Sequence, residues 1–96
     1  MSFKDLDAHL VAPKRFVTLA HLNQVEQADY PALQAATGLS TPDISKIVRD
    51  LEERDLVVVS KERRARYGAT MVRLSPLGRE TFKNLLATLN HIAGRH

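Results

Sequence analysis

Ile44, Ile47, Val48 and Leu51 recur at i, i+3, i+4 and i+7, the spacing of one buried stripe on a helix. The signals around this stripe fix its ends. Ser40 or Thr41 can cap the N-terminus, Pro42 opens the first turn, and Asp43 complements the helix dipole. Asp55 closes the helix where glycine is the easier residue, because aspartate tolerates the left-handed conformation only moderately well. A stripe this narrow also dictates what faces outward: Pro42, Asp43, Ser45, Lys46, Arg49 and Asp50.

The flanking segments are signed as clearly. "DYPALQAATG" is a compact helix, with Asp29 as cap, Pro31 in the first turn and Gly38 as its C-terminal stop. The two helices joined by "GLS" are a helix-turn-helix candidate. Upstream, Pro13 heads a helix with Phe16, Val17, Leu19, Ala20 and Leu22 on a wide apolar face. Phe3, Leu6 and Leu10 in "FKDLDAHLV" suggest a further helix before it, with Ser2 as its cap. Downstream, "LVVVSK" and "ATMVRLS" are short and rich in β-branched residues, so they read as a hairpin whose loop is "ERRARYG". Ser75 and Pro76 then open a long helix, "PLGRETFKNLLATLNHIA", slightly weakened by Gly78.

The chain of 96 residues is therefore expected to be one domain, residues 1–96, mostly α with a small β-hairpin: a winged helix-turn-helix with an added long C-terminal helix. In that arrangement the outward face of the second helix meets base edges in a major groove, and the basic loop is a wing on the backbone or minor groove. The charge distribution agrees. The formal net charge is +3, but residues 1–45 carry three basic and five acidic residues, whereas 46–96 carry eleven and six. A polyanion would meet the second half. "KERRAR" (Lys61, Arg63, Arg64 and Arg66, with Glu62) is richer in arginine and more one-signed than a merely solvated turn requires. The acidic end "EERD" keeps the back of the second helix away from phosphates.

"LVAPKRFVTLAHL", "YPALQAATGLSTPDISKIVRDLEERDLVVV" and "ATMVRLSPLGRETF" together resemble the small MarR-like winged-helix transcriptional regulators of bacteria and archaea. The resemblance covers nearly the whole chain and is most specific at "TGLSTPDISKIVRDLEERDLV" and "RLSPLGRE". It implies a dimeric repressor or activator on a pseudo-palindromic operator, with Thr41, Pro42, Ser45, Lys46 and Arg49 at the groove and Arg64 and Arg66 at the wing tip. Asp55 departs from the glycine usual there.

In the last helix Phe82, Leu85, Leu89 and Ile92 form a near-heptad seam. With Phe3, Leu6 and Leu10 of the first segment, it is the expected interface of a two-fold dimer. The partners implied are double-stranded DNA, a second copy of the chain and an unidentified small-molecule effector. The alternative is a winged helix that docks an acidic protein partner.

No cysteine is present, which removes disulfides and thiolate metal sites and fits a reducing, cytoplasmic setting. No apolar run is long enough to span a membrane, and "MSFKDLDAHL" does not read as a secretory signal. The four histidines are scattered. His9 and His91 would meet only across a dimer, where a sensing role is conceivable, but a structural or solvated role is the expectation. Asp5 and Asp7 are expected to be solvated. Nothing in the sequence has the spacing of a metal, cofactor or catalytic site, so no enzyme activity is expected.

Overall fold

The computed structural model describes residues 5–62 and 69–95. Phe3, Arg63, Arg64 and Arg66 lie outside the described residues, as do Tyr67 and Gly68 of the loop. The element order is α1 (Pro13–Gln24), β1 (Ala28–Asp29), α2 (Tyr30–Thr37), α3 (Thr41–Glu53), β2 (Val57–Glu62), β3 (Ala69–Leu74) and α4 (Pro76–Ile92). This is the winged-helix order, with α2 and α3 as the helix-turn-helix and β2 and β3 as the wing strands.

Each helix end has a local chemical cause. The Asp29 carboxylate accepts from the Ala32 amide at 2.9 Å, and Gly38 ends α2 at φ 74°, a left-handed conformation that costs glycine nothing. Ser40 caps α3, accepting from the Asp43 amide at 3.2 Å. Ser75 caps α4, accepting from the Gly78 amide at 2.8 Å. α1 has no side-chain cap; it begins at Pro13, whose missing N–H needs no partner there. Its other end is closed by Arg79 of α4, which donates to the carbonyls of Asn23 and Val25 at 3.5 and 3.2 Å.

Among the described residues the sheet has three antiparallel strands in the order β1-β3-β2, one more than the expected hairpin. β1 is two residues long and pairs Ala28 with Val72 and Asp29 with Met71. So short a strand has no periodicity to read. Asp29 both pairs with β3 and caps α2, which ties the helix-turn-helix to the wing. In the β2–β3 register, Val57 faces Leu74 and Val59 faces Val72, and this apolar ladder meets the core. The core itself gathers Leu19 and Leu22 of α1, Leu33 of α2, Ile44, Ile47, Val48 and Leu51 of α3, and Phe82 and Leu85 of α4. Phe16 and Phe82 meet in a tilted ring pair with centroids 5.7 Å apart, which fixes α4 against α1.

The segment before α1 differs from expectation. Instead of a helix, residues 7–11 make a single turn in which the Leu10 and Val11 amides donate to the Asp7 carbonyl, each at 3.0 Å. The Asp7 carboxylate takes the His9 and Leu10 amides at 3.0 and 3.2 Å, so it is not merely solvated. An aspartate that binds nearby amides competes with the helical ladder, and the residue before Pro13 is biased to extended backbone. Ala12 obeys that bias at φ −56°, ψ 131°.

The expected dimer seam is also divided. Leu10, Phe82 and Leu85 are buried in this chain's own core and have no surface left to offer a partner. Leu6 and Leu89 are half-buried and Ile92 is 46% exposed. Helical spacing identifies which residues share a stripe, but α1 takes the first two turns of this one.

α3 ends at Asp55, which adopts φ 60° as its sequence position suggested. The Leu56 amide reaches back to the Leu51 carbonyl at 2.9 Å and closes the helix. The Leu56 carbonyl then accepts the Ser75 amide at 3.0 Å, and the Ser75 hydroxyl donates to the Asp55 carbonyl at 2.6 Å. A Cβ on Gly78 would stand 1.9 Å from the Leu56 oxygen, so glycine is required by close backbone approach rather than tolerated in a helix. Gly78→Ala should therefore lower stability by about 2–3 kcal/mol in chemical denaturation, although alanine is the better helix former. Asp55→Gly should raise it by about 1 kcal/mol, since only glycine adopts the left-handed region without strain.

Candidate nucleic-acid interface

α3 presents three different faces. The stripe Ile44, Ile47, Val48 and Leu51 is buried. Opposite it, Pro42, Lys46, Arg49 and Glu53 are exposed. Thr41 is exposed at the front and Ser45 is half-buried on one flank. Lys61 is exposed on β2. Among the described residues, Lys46 and Arg49 take part in no ion pair, so the outward face carries two exposed cations, one on each side of its middle. The acidic residues Glu52 and Glu53 are exposed at the opposite end, as expected.

The second flank holds what the sequence reading missed. Asp43 and Asp50 are seven residues apart, two helical turns, and both lie on the side that faces α1 and the segment before it. Asp43 pairs with Lys14, Nζ to Oδ2 2.9 Å. Asp50 is the hub of a larger cluster. His9 Nε2 lies 2.5 Å from its Oδ2, Arg15 Nε donates to the same oxygen at 3.3 Å, and Arg54 Nε is 3.8 Å from Oδ1. Asp50 therefore does not belong to the outward face, and His9 is engaged within its own chain. The signal was present in the sequence as two cations, Lys14 and Arg15, at the head of α1 and two aspartates at heptad spacing. Only the fold brings the head of α1 beside this flank of α3.

Both carboxyls are held below the ordinary carboxylate range. For Asp50, partial burial is the largest influence and pushes the other way, but the hydrogen bonds and charges of His9 and Arg15 outweigh it. For Asp43, the Lys14 hydrogen bond dominates over a smaller burial effect, with help from the charges of Lys14 and Lys46 and from Ser40. The result is a sorting of charge on one helix: its outward cations are open, while two of its acids are neutralised by the scaffold.

A family model described as "Winged helix DNA-binding domain" matches residues 14–93. The chain belongs to this family. It carries a winged-helix DNA-binding domain, as the sequence resemblance implied. Among solved structures, this winged-helix chain is similar to a transcriptional regulator homologue from Pyrococcus horikoshii OT3, with 25% identity and a TM-score of 0.85 over 92% of this chain and 88% of that one. It is also similar to BpsR from Bordetella bronchiseptica, whose DNA binding is regulated by 6-hydroxynicotinic acid, with 24% identity, a TM-score of 0.76 and coverage of 92% and 61%. A MarR family regulator from Silicibacter pomeroyi DSS-3 shares the fold at 20% identity and a TM-score of 0.70, with coverage of 92% and 61%. The chain thus spans most of the Pyrococcus protein but about three fifths of the other two. No curated protein matches it. No helix among the described residues is long and apolar enough to cross a membrane.

The Asp50 cluster predicts a pH dependence of stability. A carboxyl whose pKa is lower in the folded state contributes stability that is fully present above its unfolded value, about 3.9, and lost as pH falls through the folded value. Asp50→Asn should thus be less stable than the parent at neutral pH by about 1 kcal/mol or less, since the side chain is 30% exposed and partly screened. The difference should shrink towards zero as pH falls below about 4, which denaturation curves at several pH values would measure.

Proposed function

We propose that this chain is a sequence-specific regulator that binds operator DNA as a homodimer, α3 in the major groove and the basic wing on the backbone or minor groove. The observation that carries this reading is the sorted charge of α3. Lys46 and Arg49 stand exposed on the outward face, outside any ion pair among the described residues, on a helix that is capped and closed at both ends. The acids that would repel phosphates are either tied to Lys14, Arg15 and His9 or placed at the far end. Thr41, Pro42, Ser45, Lys46 and Arg49 would meet base edges and nearby phosphates. Lys61 stands at the base of the wing, and Arg63, Arg64 and Arg66 join it on sequence grounds alone.

The dimer would use the apolar surface that the core leaves over: Leu6, Leu89 and Ile92, with Phe3 added from the sequence. Leu86, half-buried on α4, extends this surface. Residues 1–96 would act as one unit, with the N-terminal segment and α4 meeting across the two-fold axis. A small-molecule effector, as acts on BpsR, would find an open groove between the end of α1 and α4 that displays Arg79 and Lys83.

Two half-sites about one helical turn of DNA apart follow from two-fold symmetry. Footprinting on duplexes from the gene's own neighbourhood should show symmetric protection of about two turns. Sedimentation equilibrium should give twice the chain mass. Binding should weaken steeply with added salt as phosphate counterions are released. Replacing both Arg64 and Arg66 with alanine should weaken binding to every duplex about equally, whereas Arg49→Ala should reduce discrimination between sites by roughly tenfold. If a protein partner co-purifies and is lost in the wing variant while no duplex is protected, the chain docks an acidic protein instead.

A further inference from the structure

Asp43 is an unusual residue for the front turn of a helix that meets DNA. It is the third residue of α3, in the turn that would enter the groove first. An α-helix with its side chains is about 10–12 Å across, and the major groove is about 12 Å wide. The helix nearly fills the groove, so first-turn residues on its flanks face base edges and groove walls as well. An unaccompanied carboxylate there would be repelled by phosphates.

Asp43 is not unaccompanied. Lys14, from a different helix and 29 residues earlier, places Nζ 2.9 Å from Oδ2. Lys46, one turn further along α3, is its i+3 neighbour on the helix surface and is exposed. Asp43 keeps 33% of its side-chain surface open, so the pairing with Lys14 neutralises the carboxylate without covering it. Helix-dipole compensation alone would need no partner from α1.

An ionised carboxylate only accepts hydrogen bonds, so on a base edge it can read only an exocyclic amine. In the major groove these are cytosine N4 and adenine N6. Adenine sets the N7 acceptor beside its amine, where it opposes the second carboxylate oxygen; cytosine does not. The guanine paired with that cytosine offers O6 and N7 to a cation. Asp43 and Lys46 thus set an acceptor next to a donor, the complement of the amine and carbonyl of one C·G pair.

We propose that Asp43 is a specificity-determining residue that selects cytosine at one position of each half-site, with Lys46 on the paired guanine and Lys14 as the positioning residue that neutralises and aims the carboxylate. This rests on the DNA-binding reading above. Guanine or thymine in place of that cytosine would set acceptor against acceptor and be rejected.

The test is selection of bound duplexes from a random pool by the parent protein and by D43A, D43N, K14M and K14R, followed by competition between the best site and its single-base variants. The parent should select C·G at one position per half-site. D43A should lose roughly tenfold or more of the preference at that position alone, while its affinity for unrelated duplexes stays level or rises because a negative charge is gone. D43N, which keeps the shape of the side chain, should move the preference towards adenine, since asparagine pairs with adenine N6 and N7. K14M should blur the same position and K14R should restore it, a rescue that a purely structural tether would not confine to one base pair. If D43A fails to fold, D43N decides the matter by the same readout. Unchanged base preference in the folded Asp43 variants overturns the proposal and leaves the DNA-binding reading intact. Selection of no duplex by the parent overturns both.

Discussion

The backbone of Leu56 is where the separate parts of this protein are joined. Its amide closes α3, and its carbonyl receives the amide of Ser75, the residue that caps α4. Gly78 lies so close to the same carbonyl that no side chain fits between them. Within a few ångströms, the end of α3, the start of β2, the end of β3 and the first turn of α4 share one set of hydrogen bonds. Buried backbone groups must be satisfied, and here they satisfy one another across elements. α3 therefore cannot change its angle to α4 without breaking bonds that also hold the wing strands.

The same helix is held at a second point by charge. Asp50 collects His9, Arg15 and Arg54, and Asp43 takes Lys14. Surface ion pairs contribute little stability individually. Their effect on the proposed function is of another kind: they cancel negative charge on the flank of a helix whose outward face would approach a polyanion. Lys46 and Arg49 stay outside the ion pairs of the described residues because the scaffold supplies other cations for the aspartates. The modest net charge of +3 conceals this division, which exists only at the level of faces.

What was legible in the sequence was local in origin. Ser40, Asp29 and Ser75 announce helix starts because a cap acts on amides two or three residues away. The Ile44–Leu51 stripe specifies a buried face, and Asp55 in the left-handed region follows from the need to stop α3 there. The illegible parts depend on partners distant in sequence. β1 exists only because β3 passes beside Ala28 and Asp29. The Phe3–Leu10 spacing suggested a helix, but the Asp7 carboxylate and Pro13 favour a turn. Phe82 and Leu85 have the spacing of a dimer seam, yet both are buried in this chain's own core, Phe82 against Phe16 of α1, and periodicity alone does not name the partner. The candidate reading face divides in the same way: Lys46 and Arg49 follow from the stripe opposite them, whereas the roles of Lys14, Arg15 and His9 depend on the fold that brings the head of α1 and the segment before it to the flank of α3.

The two anchoring points of α3 have a common consequence for regulation. One anchor, at Asp50, is made by the N-terminal segment through His9 and by the head of α1 through Arg15. The other, at Leu56, is made by the first turn of α4. The N-terminal segment and α4 are also the elements that carry the leftover apolar surface of the proposed dimer. A change in how two copies of the proposed dimer meet would thus pass into the C-terminal end of α3 through both anchors, by direct hydrogen bonds and without an intervening loop. Because packed elements shift between discrete arrangements rather than deforming continuously, a small rotation at the interface would move both reading helices as bodies. On the proposed two-fold operator the half-site spacing is fixed by the DNA, so such a movement would alter affinity even when every contact within one half-site is preserved.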